Sequence, residues 1–330
     1  MSRINEIWDN LENDLSFSTG VLLRRYSPSI IPDIFVALIA PEKRRCLAIL
    51  ISNAVDISRW NVLQDIRFEL IPAPNQPNHF LLLLILIDQN HKDIFSVLCE
   101  DLILSVAKVQ DEATLIQDSL NRFAKWQNLF EKANQEGLTI EEQKGLFGEL
   151  LFLQQLLQNN SNYLLILQAW AGPTAAPRDF QQGNWAVEIK TTTAVNPQKI
   201  KISSERQLDP TPIPNLFLVH YSLEPFNHTG ETLNDLIESI KQLLAAQPIA
   251  EQRFKYLLFE VGYFSHHQEL YASTGYALHQ KRIYQIGVQF PRLTETTIPF
   301  GVSEVKYSIS MAACESFIIT PEQLFEIIKP

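Results

Sequence analysis

An aspartate, a glutamate and a lysine stand close together in the segment APRDFQQGNWAVEIKTTT. Asp179 lies nine residues before Glu188, and Lys190 follows Glu188 by two positions. Because alternate residues of a strand share a face, Glu188 and Lys190 point to one side while Val187 and Ile189 point to the other. An acid and a base on one face of an apolar strand indicate either an ion pair on a solvated sheet or a reaction centre.

Features around this strand favour the reaction centre. Asp179 sits in a turn that contains Gly and Pro, and Thr191–Thr193 extend the strand with hydroxyls. Glu149 belongs to the preceding helical segment, where its neighbours at three and four positions are glycine, leucine and phenylalanine. A carboxylate buried there would need a metal or a lysine as its partner, whereas one at the rim would reach solvent. Trp170 and Trp185 flank the motif and are predicted to be core aromatics.

Two or three carboxylates beside a lysine suit the hydrolysis of phosphodiester bonds. Hard carboxylate oxygens bind Mg²⁺, which contacts phosphate and activates a bound water. A neighbouring lysine orients that water or stabilises the charge that develops on the phosphoryl group. We therefore expect Asp179, Glu188 and Glu149 to hold Mg²⁺, with Mn²⁺ as a substitute, and Lys190 to lie beside the attacking water.

Basic residues near this segment offer contacts for a phosphate backbone. Lys199 and Lys201 alternate on one face of a short strand with Ser203, which is typical both of a phosphate-contacting row and of a solvated edge strand. The predicted nucleic-acid contacts are these two lysines together with Arg178 and Arg206. The formal net charge of −10 counts against a broad basic surface, so partner subunits are expected to contribute affinity.

The composition indicates a folded protein of about two domains. The chain has 330 residues, of which 46% are hydrophobic, and it contains no long polar tract. The most apolar run, HFLLLLILIDQN, is too short to cross a bilayer. The three cysteines are far apart and match no metal or disulfide spacing. With no secretory signal pattern at the N-terminus, a cytoplasmic protein is expected, without a membrane partner.

The first part of the chain predicts an α+β domain over residues 1–137. Strand-like runs follow an amphipathic helix and are separated by Pro-containing and Asn/Asp-containing turns, which favours an antiparallel meander. Two helices come next. The predicted elements are a helix over Ile4–Leu15, strands over Ile34–Ala40, Cys46–Ile51, Ile66–Ile71 and Phe80–Ile87, and helices over Lys92–Lys108 and Asp111–Glu136.

The second predicted domain covers residues 138–330. It begins with a helix for which Thr139 is the expected N-cap and Glu142 the capping-box partner. Gly145 and Gly148 in that helix would let another backbone approach closely. Arg253–Val261 is ambiguous between helix and strand. The other predicted elements are strands over 185–193, Lys199–Ser203, Leu216–Leu223, Ile283–Phe290 and Val305–Ser310, a short helix over Ser204–Leu208 and an amphipathic helix over Thr232–Ala246.

Five segments of this chain resemble PD-(D/E)XK nucleases. They read GLFGELLFL, AWAGP, PRDF, AVEIKTTT and ISSERQLDP, and they are similar to one bacterial PD-(D/E)XK family that is often encoded with restriction and phage-defence genes. The resemblance implies an α/β fold with a restriction-endonuclease-like core, in which helices flank a mixed central sheet. It assigns supporting roles to Gln207 and, less directly, to Thr192. One departure is Arg178, which separates Pro177 from Asp179.

The resemblance also implies a function. We expect a metal-dependent endonuclease that hydrolyses DNA in a restriction-modification or phage-defence system. Since one site cuts one strand, a double-strand break would need a homodimer or two successive cuts. The alternative is a non-catalytic scaffold or specificity subunit of a defence complex that keeps the nuclease fold.

Overall fold

The computed structural model divides the chain into two compact units, 1–136 with 264–266 and 137–263 with 267–330. The described residues are 3–14, 16–60, 65–74, 76–133, 136–174, 176–193, 198–211 and 213–328. Within these residues, no helix has both the length and the apolar character needed to cross a membrane.

The first unit is an antiparallel sheet with three helices. Its strands lie in the order β1-β2-β3-β5-β4. The elements are α1 (Arg3–Glu12), β1 (Gly20–Arg25), β2 (Ile34–Ala40), β3 (Arg44–Ile51), β4 (Ile66–Pro72), β5 (Phe80–Leu86), α2 (Lys92–Val106) and α3 (Glu112–Ala133). The predicted antiparallel pairing is confirmed, but the predicted meander is wrong at its last step, because β3 pairs with β5 and β4 lies at the edge beyond it. The sequence analysis missed β1, an edge strand whose residues are exposed or half-buried and therefore show no clear apolar alternation.

Three predicted helix ends in this unit differ from the structure. The first helix ends at Glu12, and the predicted end at Leu15 lies outside the described residues. The second helix ends at Val106. The third helix ends at Ala133, before the predicted end at Glu136. Residues 134 and 135 lie outside the described part of the chain.

The second unit is built on a mixed sheet. The strands lie in the order β10-β11-β9-β7-β6, with β13 beside β11, and β7 runs parallel to β9. Strands β8 and β12 form a separate two-stranded sheet. The elements are α4 (Ile140–Gln158), α5 (Tyr163–Ala169), β6 (Phe180–Gln182), β7 (Trp185–Thr192), β8 (Lys199–Ile202), β9 (Asn215–Asn227), β10 (Glu231–Thr232), α6 (Leu233–Leu244), α7 (Pro248–Glu260), α8 (Gln268–Tyr271), β11 (Thr274–Gln285), β12 (Tyr307–Ser310), β13 (Ile318–Ile319) and α9 (Pro321–Ile327).

Two hydrophobic cores cover the two faces of this mixed sheet. Val187 and Ile189 of β7 join the core formed with α4, α5, α6 and α7. Ala186, the next residue on the other face, joins the core formed with β8 and β12. Residues 188 and 190 share that second face because strand side chains alternate. The predicted fold class, α/β with a mixed central sheet and flanking helices, is confirmed.

The capping box at the start of α4 is present. The Thr139 hydroxyl accepts a hydrogen bond from the Glu142 amide, and the Glu142 carboxylate accepts one from the Thr139 amide. The ambiguous segment Arg253–Val261 belongs almost entirely to α7. The predicted strand Ile283–Phe290 is wrong beyond Gln285, where β11 ends before Gly287.

The predicted helix over Ser204–Leu208 is wrong. Residues 205–208 form a turn that begins three residues after the end of β8. So short a segment lacks the successive backbone hydrogen bonds that stabilise a helix, and Pro210 follows closely. The amide of Ser203 is instead satisfied by the Gln207 side chain, at 2.8 Å from its Oε1 atom.

Candidate active site

Strand β7 carries an acid and a lysine that form a buried ion pair. Lys190 Nζ lies 2.7 Å from Glu188 Oε1, and the two side chains are 16% and 1% exposed. Glu188 Oε2 has no hydrogen-bond partner among the described residues. The exposures exclude an ion pair on a solvated sheet, which was the alternative left open by the sequence. A charged pair that is withdrawn from water in this way is typical of a functional site rather than of a stabilising surface contact.

Asp179 lies beside this pair because of how β6 meets β7. The antiparallel register sets Phe180 opposite Val187, so the preceding residue stands level with Glu188. Asp179 Oδ2 accepts a hydrogen bond from the Ile189 amide at 2.7 Å, which fixes the carboxylate against β7. Its backbone carbonyl accepts hydrogen bonds from the amides of residues 171 and 172.

Glu149 reaches the same place from α4. Its Oε2 atom accepts a hydrogen bond from the Trp170 indole at 2.7 Å. A Cβ atom placed on Gly172 would lie 2.8 Å from Glu149 Oε2 and 3.3 Å from Asp179 Oδ1. The two carboxylates therefore converge on a space that only glycine leaves open. The sequence analysis assigned Trp170 to the core and did not single out Gly172.

Of the two glycines of α4, one permits close packing. A Cβ atom on Gly148 would lie 2.1 Å from Thr191 Oγ1, so α4 approaches β7 at this point as the sequence suggested. A Cβ atom on Gly145 would meet nothing within 4 Å, and the same expectation is wrong for that residue. The contact at Gly148 brings the helix that carries Glu149 against the strand that carries Lys190.

The pKa values of the site residues are shifted because three buried carboxyl groups lie close to one buried lysine. Burial raises the pKa of Asp179, and burial together with the Asp179 charge raises the pKa of Glu149 well above its usual range and that of Glu188 to about 8. Burial alone would lower the pKa of Lys190, but the Glu188 and Asp179 carboxylates outweigh it and raise that pKa. Lys190 is therefore charged at neutral pH.

These residues fit a divalent cation. The donor set consists of hard carboxylate oxygens, which Mg²⁺ prefers. The unpartnered Glu188 Oε2 atom and the space kept open at Gly172 are two features that such a cation would explain. The ligand atoms of these three carboxylates do not all lie within 4.8 Å of one another in this structure. Among the described residues, one group of three side chains does meet this distance, and it lies in the first unit. It consists of Asp65, Asp88 and His91.

Of the two residues predicted to support the site, Gln207 contacts Lys190 and Thr192 contacts a histidine of the neighbouring strand. Gln207 Oε1 lies 3.4 Å from Lys190 Nζ and also accepts the Ser203 amide, so the turn after β8 holds the lysine head. Thr192 Oγ1 lies 2.9 Å from Nε2 of His220 on β9. Burial and the Arg282 charge lower the pKa of His220 to about 4, which keeps this imidazole neutral.

An open cleft of about 260 Å³ begins at Lys190. Lys199 and Lys201 of β8 line it with exposed side chains, while the alternate isoleucines of β8 are buried. Lys144 of α4, which the sequence analysis did not single out, also lines the cleft and forms an ion pair with Glu141 at 2.7 Å. The remaining lining residues are Glu141 itself, Thr191, Thr192, Thr193 and Ile200.

Two predicted nucleic-acid contacts lie elsewhere. Arg178 is 4% exposed, and its guanidinium donates a hydrogen bond to the Asp209 carbonyl. The prediction is therefore corrected: this side chain is inside the protein, where it cannot reach a duplex. Arg206 is exposed but pairs with Glu295 at 2.8 Å, and it is absent from the lining of the cleft.

A family model, DUF4420, whose description reads "Putative PD-(D/E)XK family member", matches residues 4–312. No curated protein and no solved structure gives a significant match.

Proposed function

Because the chain belongs to this PD-(D/E)XK family, we propose that it is a Mg²⁺-dependent endonuclease that hydrolyses DNA phosphodiester bonds. The observation that carries the proposal is the buried pair of Glu188 and Lys190, with the Asp179 and Glu149 carboxylates converging beside it. A fold alone does not imply an activity, so the argument depends on these side chains.

Each side chain has a proposed role. Asp179, Glu188 and Glu149 are the ligands of the cation, and Mn²⁺ can replace Mg²⁺. Such a cation, when bound, supplies charge for the phosphoryl oxygens and lowers the pKa of a water. Lys190 donates a hydrogen bond to the attacking water or to the phosphoryl group. Gln207 acts as a positioning residue, because it accepts a hydrogen bond from Lys190 while the Ser203 amide fixes its own carbonyl.

The substrate strand is proposed to follow the cleft beside Lys190. Lys199 and Lys201 present two charges on one exposed face of β8, and Lys144 adds a third on α4. Phosphate contacts of this kind position a strand without selecting its sequence. The net charge of −10 over the whole chain favours a protein that works with partner subunits in a restriction-modification or phage-defence system, in the cytoplasm. Cutting both strands would use a homodimer or two successive cuts.

A second candidate function is a non-catalytic scaffold or specificity subunit of a defence complex. The net charge of −10 and the wide setting of the three carboxylates favour it. In this interpretation protons, rather than a metal ion, neutralise the buried carboxylates, whose pKa values are raised by burial.

The test is cleavage of supercoiled and linear DNA, methylated and unmethylated, by the full chain in Mg²⁺ and in EDTA. Asp179→Asn and Lys190→Ala should abolish metal-dependent cutting without loss of fold. Lys255→Ala is the matched control, since that lysine also forms an ion pair, with Glu251 on α7. Cutting that survives both site variants would refute the assignment. No cutting together with no calorimetric Mg²⁺ binding would favour the scaffold.

A further inference from the structure

Two carboxylates meet at one end of the sheet of the first unit. Asp65 directly precedes β4, and Asp88 follows β5 by two residues. These strands are paired, with Ile66 opposite Leu86, and the Ile87 amide donates a hydrogen bond to the Asp65 carbonyl at 2.8 Å. The strand register therefore fixes both acids at the same edge, although 22 residues separate them in the chain.

A histidine with an unsatisfied ring nitrogen faces these acids. His91 directly precedes α2, and its side chain is 3% exposed. Its Nδ1 atom has no hydrogen-bond partner in the described part of the chain and lies 4.0 Å from Asp65 Oδ2. That distance is too long for a hydrogen bond. Two ligands bound at about 2.0–2.2 Å to one ion are separated by roughly 3–4 Å, so the spacing suits coordination.

The surroundings hold the three side chains in place. Asp88 Oδ1 accepts a hydrogen bond from the Asn90 amide at 2.9 Å, which orients that carboxylate while its second oxygen remains for another ligand. The Phe130 ring lies edge-on to the His91 ring at 6.0 Å, and the His266 ring lies 5.0 Å from it. An apolar wall and an oriented carboxylate are the surroundings that structural metal sites use.

We infer that the first unit contains a structural site for a divalent transition-metal cation, formed by His91 Nδ1 and one carboxylate oxygen each of Asp65 and Asp88. The ligand atoms of these residues lie within 4.8 Å of one another. One imidazole nitrogen with two carboxylate oxygens suits Zn²⁺, whereas Mg²⁺ prefers oxygen ligands throughout. The site ties the start of β4, the end of β5 and the start of α2 together. It uses none of the residues proposed for DNA cleavage.

The test is a titration of the full chain, stripped with a chelator, with Zn²⁺ alone and with Co²⁺ as a spectroscopic probe. It is carried out in the Glu188→Gln background so that the candidate active site is weakened. We expect one equivalent of Zn²⁺ to bind and to raise the melting temperature. Asp88→Asn and His91→Gln should weaken Zn²⁺ binding by more than the roughly 10–100-fold cost of losing an outer partner of a metal ligand.

The matched control is Asp93→Asn, which removes a negative charge close to His91 but none of the three ligands. It should keep the wild-type affinity and the Co²⁺ absorption bands. Asp88 is half-buried, so Asp88→Asn should fold even where His91→Gln does not. Unchanged Zn²⁺ affinity in Asp88→Asn would overturn the inference. So would zinc binding that disappears in the Glu188→Gln background, because the metal would then belong to the candidate active site.

Discussion

Replacing Lys190 by methionine removes the cation that faces three buried carboxylates. The new side chain has a similar length, so packing changes little while the ion pair with Glu188 at 2.7 Å is lost. Breaking a buried pair from one side costs up to about 3–5 kcal/mol where the remaining group stays ionised without a partner. In EDTA the variant should therefore be less stable than the wild-type protein, and the loss should depend on pH.

The direction of the pH dependence follows from the carboxyl groups. The folded-state pKa of Glu188 is about 8, above the ordinary value of 4.5. Between pH 4.5 and pH 8, the folded protein therefore keeps a proton on Glu188 that the unfolded chain has released. Stability in EDTA accordingly falls as pH rises from about 4.5 to 8. Without Lys190 the pKa of Glu188 rises further. The difference between variant and wild type is then small at pH 6 and grows by up to about 1.4 kcal/mol for each pH unit above 8.

The assay is thermal unfolding of Lys190→Met in EDTA from pH 6 to pH 9. The expected deficit at pH 9, about 1.4 kcal/mol, corresponds to about 3–6 °C for a unit of this size. Lys201→Met is the matched control, because that side chain is exposed and its loss should change the stability by less than about 0.5 kcal/mol at every pH. A deficit in Lys190→Met that is constant across this range would refute the electrostatic argument.

Three further experiments test the packing and the cleft. Gly172→Ala should keep the fold but weaken Mg²⁺ binding in calorimetry, because its Cβ atom would lie 2.8 Å from a site carboxylate. The control is Gly145→Ala, whose Cβ atom would meet open space and which should stabilise α4 by about 1 kcal/mol. Gly148→Ala should lower the melting temperature and the cleavage rate together, since its Cβ atom would overlap the facing threonine hydroxyl of β7. Replacing Lys199 and Lys201 by Gln should reduce the salt dependence of DNA binding by about one unit of slope per lysine.

The central strand was predictable from the sequence because its alternation is a local property. Val187 and Ile189 enter the core on the helical face, as the period of two requires, and Glu188 with Lys190 lie on the other face. The capping box at Thr139 was also readable, since both of its partners lie within one helical turn. Patterns that depend on only three or four neighbouring residues can be recognised without knowledge of the tertiary structure.

The sequence did not reveal features that depend on long-range packing. Trp170 appeared to be an ordinary core residue, and only the fold shows its indole donating a hydrogen bond to Glu149. Arg178 follows a loop and resembled a surface contact, but the chain turns it inward to the Asp209 carbonyl. Gly172 is one small residue in a turn-rich segment. The need for a glycine at this position is visible only in the fold, where two carboxylates approach it.

The acids of the first unit illustrate the same difficulty. Asp88 and His91 are three positions apart in the segment DQNH, a spacing at which a turn can bring their side chains together. Asp65 joins them only through the pairing of β4 with β5. A metal-ligand pattern that is split between a turn and a distant strand edge has no fixed sequence spacing, so inspection of the sequence alone does not find it.

The charge balance at Lys190 separates the two candidate functions by experiment. Three ionised carboxylates and one lysine leave two negative charges in excess, which equals the charge of one divalent cation. If Mg²⁺ binds there, it must displace protons, because carboxylate ligands bind in their ionised form. Glu188, with a pKa of about 8, should release about one proton per Mg²⁺ at pH 7 and almost none at pH 9. Calorimetry in buffers of different ionisation enthalpy measures the number of released protons, and Glu188→Gln should lower that number by about one at pH 7. A binding enthalpy at pH 7 that is the same in every buffer would show that Mg²⁺ binds away from Glu188, and the scaffold would then be the better account.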